Sequence, residues 1–148
     1  MKISIITIVK NGLPFLKSAI KSIKNQKKIE NLEHIIVCSP STDGTETYLN
    51  TLSNVKIIMD KDSTTRYGSI NKGINIASGD IIGLLHADDI FYDEFTLYKI
   101  LQQFHYKNDV IYGNIFFCDK ENISKINREW ISSEFKRKKL YFGWMPPH

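Results

Sequence analysis

The sequence predicts an α/β protein with a mainly parallel central sheet and helices on both faces. Three observations predict it. Short β-branched runs alternate with stretches whose apolar residues recur at helical spacing. Clusters of Gly, Pro, Asn, Ser and Thr mark the boundaries between them. Connections of this length suit right-handed crossovers between parallel strands.

Ile3–Val9 is a β-branched run and forms the first strand. Asn11-Gly12 ends it, and Pro14 suits the first turn of a helix whose inward face is Leu16, Ala19, Ile20 and Ile23. His34–Val37 is a short second strand. Ser41-Thr42-Asp43-Gly44-Thr45 is a loop rich in N-cap residues, followed by a helix facing inward through Tyr48, Leu49 and Leu52. Val55–Met59 makes the third strand. Tyr67, Ile70, Ile74 and Ala77 line one side of the next helix, which ends at Ser78-Gly79 with Gly79 expected in the left-handed conformation. Ile81–Leu85 is the fourth strand, apolar throughout, as a parallel strand buried on both faces should be. Phe95–Tyr106 reads as a helix, and Val110–Tyr112 and Ile115–Phe117 are strand-like around Gly113-Asn114.

At 148 residues, one domain is expected over 1–148. An apolar fraction of 42% and a charged fraction of 24% describe an ordinary globular chain. No apolar run approaches the roughly 18–20 residues of a membrane span, and the N-terminal run is too short for a signal peptide. Cys38 and Cys118 make no disulfide framework and suit a reducing, cytoplasmic setting. Much of the formal charge of +4 sits in Lys136-Arg137-Lys138-Lys139, flanked by Trp130, Phe135, Tyr141, Phe142 and Trp144. Two readings stand: a patch for anionic headgroups at a membrane surface, or a solvated helix face followed by core aromatics. Nucleic acid is disfavoured, because basic residues do not read as a stripe.

The fourth strand runs into His86-Ala87-Asp88-Asp89. Adjacent carboxylates at the edge of a core repel and lose hydration, so they call for a compensating partner. A divalent cation with a phosphate-bearing ligand would serve; alternatively the pair opens a surface loop and caps the next helix. In a parallel sheet the loops around Thr7–Asn11, Cys38–Thr45 and His86–Asp89 emerge on one side and share a cleft. There Thr42, Asp43 and Gly44 can hold a ribose or base while also capping the second helix. His86 is either a metal ligand or simply packed. The chain has no G-x-x-x-x-G-K-[ST] loop, no G-x-G-x-x-G after the first strand, and no zinc-ligand spacing.

Four segments occur in a recognisable order: Ile3-Ser4-Ile5-Ile6-Thr7-Ile8-Val9-Lys10-Asn11-Gly12; Ser41-Thr42-Asp43-Gly44-Thr45; Asn71-Lys72-Gly73-Ile74 with Ala77-Ser78-Gly79-Asp80-Ile81-Ile82; and Leu85-His86-Ala87-Asp88-Asp89. Together they resemble the N-terminal nucleotide-sugar-binding half of family 2, inverting, GT-A-fold glycosyltransferases, especially those of colanic-acid and other polysaccharide biosynthesis. The resemblance implies a nucleoside-diphosphate-sugar donor, UDP-sugar favoured, and a saccharide or lipid-linked acceptor in cell-surface polysaccharide synthesis. It places Thr7, Ile8, Asn11, Ser39 and Asp43 by the nucleotide and Asp88 by the ribose. Asp89 would hold Mn²⁺ or Mg²⁺ across the two phosphates, and Lys72 or Arg66 would contact phosphate or lie exposed. The setting implied is cytoplasmic, at the inner face of the membrane.

The chain departs from the family at several points. Cys38, Ser39 and Pro40 replace acids that often precede the second segment, His86 replaces the first acid of the metal triplet, and Lys10 stands where many relatives carry an aromatic residue. An inverting transferase needs a general base, and none of Asp109, Asp119, Glu121, Glu129 and Glu134 sits in the expected context. Tyr141–His148 resembles the lead-in to an acceptor half, so the expectation is a truncated transferase that binds donor and transfers poorly. Two alternatives stand beside it. A nucleotidyltransferase would want a Gly-rich basic loop where Asn11-Gly12-Leu13-Pro14 lies. A non-catalytic binding or assembly module would keep the fold, with its exposed edge covered by a partner such as a second copy.

Overall fold

A computed structural model describes residues 1–62, 65–104, 106 and 108–146. The chain forms two compact units, Met1–Gln102 and Gln103–His148. The first is built on four parallel strands, β1 (Ile3–Val9), β2 (Leu32–Cys38), β3 (Lys56–Met59) and β4 (Ile81–Leu84), ordered β3-β2-β1-β4. Around it run α1 (Leu13–Lys24), α2 (Thr45–Leu49), α3 (Arg66–Ile76) and α4 (Thr96–Phe104).

Helices cover both faces. On one face, Leu16 and Ile20 of α1 and Leu49 of α2 pack on Val9, Ile36 and Cys38. All four expected residues of α1 are buried: Leu16, Ala19, Ile20 and Ile23. On the other face, α3 lies against β1 and β2, over Ile6, Ile35 and Val37. The buried residues of α3 are Ser69, Ile70 and Gly73, whereas Tyr67 and Ile74 are exposed, contrary to the expected face. Gly73 explains the difference. A Cβ there would stand 2.6 Å from Ile6 Cγ2 and 3.3 Å from Val37 Cγ2, so the helix approaches the sheet through its smallest residue.

Strand β4 also departs from expectation. Ile81 and Leu85 are buried, but Ile82 and Leu84 are 41% and 53% exposed. β4 is an edge strand, and α3 covers β1 and β2 rather than β4. β2 extends beyond His34–Val37 at both ends, while α2 is shorter than its apolar pattern suggests.

One buried carboxylate ties the amino end of the sheet together. Glu33 of β2 accepts from the Ser4 hydroxyl of β1, from Ser78 N–H (2.9 Å) and Oγ–H (2.8 Å), and from Lys56 Nζ of β3 at 2.6 Å. Lys2 stands 3.5 Å away. Burial pushes this carboxyl up, but the bonds from Lys56, Ser4 and Ser78 outweigh it and hold the group far below the usual glutamate range. Gly79 N–H donates to Ser4 Oγ at 2.9 Å. Gly79 is not left-handed; positive φ among described glycines occurs at Gly44 and Gly143. Glycine is required at 79 because a Cβ would meet Ser4 N at 2.6 Å and the Ile3 carbonyl carbon at 3.0 Å.

The second unit holds an antiparallel hairpin, β5 (Ile115–Cys118) with β6 (Ile126–Trp130), and a short helix α5 (Arg137–Leu140). Asp119 closes the hairpin turn by accepting from the N–H groups of Glu121 and Asn122. Val110–Tyr112 is not a strand, and the whole of β6 went unforeseen. Lys139 of the basic cluster donates to Ser133 Oγ and lies over Trp144, while Tyr141 and Phe142 are exposed. His105, Pro147 and His148, at the ends of the expected fifth helix and tail, lie outside the described residues. No helix among the described residues is long and apolar enough to cross a membrane.

Gly79→Ala pushes a methyl into the β1 backbone and is expected to lower unfolding free energy in urea by about 1–3 kcal/mol. An unchanged midpoint would show that the Ser78-Gly79 connection can move away from β1.

Candidate functional site

The carboxyl ends of β1, β2, β3 and β4 open onto one cleft of about 820 Å³ within the first unit. This is ample for a nucleotide-sized ligand, since small-molecule clefts run to roughly 300–1,000 Å³. Its walls include Ile8, Asn11, Ser39, Asp60, Arg66 and the His86–Asp89 turn. The sheet ladder continues into the walls. Ser39 N–H donates to Val9 O (2.9 Å), Asp60 N–H to Cys38 O (2.7 Å) and Leu85 N–H to Ile6 O (3.1 Å). Ser39 and Asp60 are therefore fixed to the strand beside each, and Leu85 anchors the start of the His86–Asp89 turn.

Of the residues expected from sequence, the cleft brings together Ile8, Asn11, Ser39, Asp88 and Asp89. Asn11 adopts φ 50°, a left-handed conformation that Asn tolerates better than most residues. Its N–H donates to Ser41 Oγ, its Oδ1 accepts from Thr42 N–H, and Gly12 N–H donates to Thr45 Oγ1. The loop after β1 is thus stitched to the loop after β2.

Thr7, Asp43 and Lys72 are not among the lining residues. Thr7 is fully buried within β1, its Oγ1 3.0 Å from His34 Nε2. Asp43 accepts from Leu13 N–H, Thr45 N–H and the Thr45 hydroxyl, bonds that hold its carboxyl below the usual range. Lys72 reaches towards the cleft from α3 but is engaged with Asp60 Oδ1 at 2.6 Å and lies 3.6 Å from Asp62. The hydrogen bond to Asp60 raises the Lys72 ammonium pKa.

Like Phe15, Lys61, Thr65 and Ser69, Asp60 is a cleft residue not among those expected from the sequence. Its side chain is fully buried, and it also accepts from Ser69 Oγ at 2.7 Å. The available signal was the one that singled out Asp88: a carboxylate directly after a β-branched strand.

Asp88 and Asp89 are in a different electrostatic state. Neither carboxylate has a hydrogen-bond or ion-pair partner among the described residues, unlike Glu33, Asp60 and Asp93. Loss of solvent and the neighbouring charge of Asp88 raise the Asp89 pKa, opposed by His86. No group of three or more His, Cys, Asp or Glu side chains among the described residues forms a metal cage. Two open carboxylates therefore suit a hard cation completed by ligand oxygens, the usual mode for Mg²⁺ with phosphates.

The family model described as Glycosyl transferase family 2 matches residues 4–147. The chain belongs to that family. An uncharacterized glycosyltransferase of Mycobacterium tuberculosis is 33% identical over 90 residues, covering 60% of this chain and 34% of the relative. One from Methanocaldococcus jannaschii is 27% identical over 135 residues, covering 85% and 44%. The chain thus spans about a third of the Mycobacterium relative's length. Among solved structures, S. aureus TarS 1-349 in complex with UDP superposes with a TM-score of 0.62 at 23% identity, covering 72% of this chain and 32% of that one. The mannosyltransferase PcManGT from Pyrobaculum calidifontis, in complex with GDP-Man and Mn²⁺, gives 0.63 at 21% identity, covering 80% and 35%. These likenesses establish a GT-A-type α/β fold.

Two measurements probe the charges around the cleft. Lys72→Met strands the buried Asp60 carboxylate, so it should lower the unfolding midpoint more than Asp60→Asn/Lys72→Met does. Equal losses would mean that Lys72 contributes packing alone. His34, buried and beside the Lys24 charge, has its pKa lowered from 6.5 to about 4. The unfolded chain therefore binds a proton that the folded one refuses, and stability is full above pH 6.5 and falls as pH drops towards 4. Denaturant unfolding should lose about 2 kcal/mol between about pH 7 and pH 5 in the parent and much less in His34→Gln. A parent whose stability is flat over this window would refute the assignment.

Proposed function

We propose that the cleft binds a nucleoside-diphosphate sugar and that the chain forms the donor-binding part of a metal-dependent, inverting glycosyltransferase. One observation carries the reading: two adjacent carboxylates without hydrogen-bond or ion-pair partners among the described residues, at the carboxyl edge of a parallel sheet, in a cleft of nucleotide size. A diphosphate would be repelled by them unless a divalent cation stood between. Asp89, with Asp88 beside it, would hold Mn²⁺ or Mg²⁺, which when bound supplies charge neutralisation for a nucleoside diphosphate leaving group. Solved neighbours named as complexes with UDP, with UDP-GlcNAc and with GDP-Man and Mn²⁺ support the ligand class.

The chain's own residues then divide the work. Ile8 offers an apolar wall, Asn11 and Ser39 fix the loops around the nucleotide, and Asp88 approaches the ribose. Arg66, at the first turn of α3, brings a cation to the opposite wall. Thr7, Asp43 and Lys72 act one step back, holding β1, the first loop pair and Asp60. The acceptor is a saccharide or lipid-linked sugar of a cell-surface polysaccharide, with a UDP-sugar favoured as donor. Its base is not drawn from the cleft carboxylates, since Asp60 is satisfied by Lys72 and Ser69 and the other two serve the donor.

Calorimetry with UDP and GDP, each with Mn²⁺ and with EDTA, tests this. The expected result is metal-dependent binding that Asp89→Ala weakens at least tenfold, about 1.4 kcal/mol. Binding indifferent to both EDTA and the substitution would remove the metal from the site. Absence of any nucleotide binding by the folded protein would sink the donor-site reading itself.

A further inference from the structure

In the sequence much of the excess positive charge sits in the tail, at Lys136-Arg137-Lys138-Lys139, and no basic stripe stands out. The fold shows one on α1. Lys17, Lys21 and Lys24 are all exposed, and their i, i+4, i+7 spacing puts them on one helix face along about 10 Å of axis. Lys28 continues the line just past the C-cap, at φ 59°. None of the four has an ion-pair partner among the described residues, and α1 carries no acid along its length. Elsewhere in this unit Lys56 pairs with Glu33, Lys72 with Asp60, Lys27 with Glu94 and Lys99 with Asp93, while Lys10, Lys61 and Arg66 line the cleft.

Aromatic rings bracket the stripe. Lys17 Nζ lies 5.2 Å from the Tyr48 ring, and Lys28 Nζ lies 5.7 Å from Phe95 and 5.2 Å from Tyr98. The helix dipole accounts for lysines in the last turn, at Lys21 and Lys24, but not for Lys17 near the middle. A convex helix face bearing spaced ammonium groups, with no guanidinium fork, is poorly shaped to enclose a single phosphate. It matches an extended plane of mobile negative charge, and half-buried aromatic rings suit its interfacial zone.

We propose that α1 is the face by which this protein docks on an anionic lipid bilayer. The helix begins at the cleft, where Gly12 and Phe15 are lining residues, so docking along α1 sets the cleft mouth beside the lipid surface. Only that last point rests on the transferase reading, since a lipid-linked acceptor would arrive from there.

Flotation of the full chain with vesicles of phosphatidylcholine alone, and of phosphatidylcholine with phosphatidylglycerol, tests the docking. Partition onto the anionic vesicles is expected at low salt, with release as the Debye length shrinks to about 3 Å near 1 M. Each lysine removed should cost roughly fivefold, so Lys21→Glu/Lys24→Glu should lose more than about twenty-fold. Lys138→Glu, in the tail, should partition as the parent does. Nucleotide binding by calorimetry in parallel keeps the two readings separable, because the α1 variant should retain it if folded. Lys17→Gln/Lys28→Gln gives a milder second variant, expected to weaken partition in the same direction. Absence of anionic-vesicle binding by the parent, or binding that survives both α1 variants, would overturn the proposal. So would α1-dependent binding to duplex DNA at the same ionic strength without vesicle binding.

Discussion

The first unit depends on the buried Glu33 carboxylate. A parallel sheet has no tight hairpins to fix its register, so side chains and crossovers must do so. Glu33 gathers Ser4 of β1, Lys56 of β3 and Ser78 before β4 around one pair of oxygens at the amino edge. Removing any one donor would leave a buried charge short of partners, which costs more than an average hydrogen bond. The consequence lies at the other end of the strands. With β1 in register against β2 and β4, Val9 stands beside Cys38 and Ile6 beside Leu84, and the loops that follow must open onto one cleft.

Local pattern made some of this legible and sheet order hid the rest. β1 and α1 could be read directly, because a β-branched run and an i, i+3, i+4, i+7 stripe each report burial on their own. β4 misled, since Ile81–Leu85 is apolar enough for a central strand yet occupies an edge. Its position depends on which strand β1 pairs with, and that is non-local. The apolar pattern does not mark the inward face of α3, because close packing on Ile6 selects Gly73 and the buried Ser69 bonds to Asp60, and neither carries hydrophobic signal. Strand β6, Ile-Asn-Arg-Glu-Trp, is largely exposed and alternates too weakly to announce itself.

The candidate site divides along the same line. Asp88 and Asp89 follow a strand end and were legible for that reason, whereas Ser39 was reached through the family resemblance. The family resemblance places Thr7 by the nucleotide, but it lies inside β1 and its hydroxyl meets His34. Asp60 obeyed the strand-end rule and was overlooked. Its partner Lys72 lies twelve residues away on α3, and no periodicity connects a strand end to a helix surface across such a gap.

The carboxylates of the cleft show how the fold separates structural charge from available charge. Asp60 is fully buried and carries its own cation and hydroxyl, so a ligand gains little by approaching it with positive charge. Asp88 and Asp89 have no side-chain hydrogen bond or ion pair among the described residues and stand on a turn whose backbone is closed by Asp89 N–H to His86 O at 3.1 Å. Their mutual repulsion is opposed by His86 but by no ion pair among the described residues. A ligand carrying a diphosphate adds further negative charge and would deepen that repulsion unless it brought a cation. Of the two walls, on the proposed reading, the Asp88–Asp89 turn would make affinity for nucleotide depend on a divalent ion. The wall at Asp60 and Arg66 would then set shape and hydrogen-bonding pattern. This division follows from which carboxylates the fold neutralises, and it holds whichever sugar the nucleotide carries.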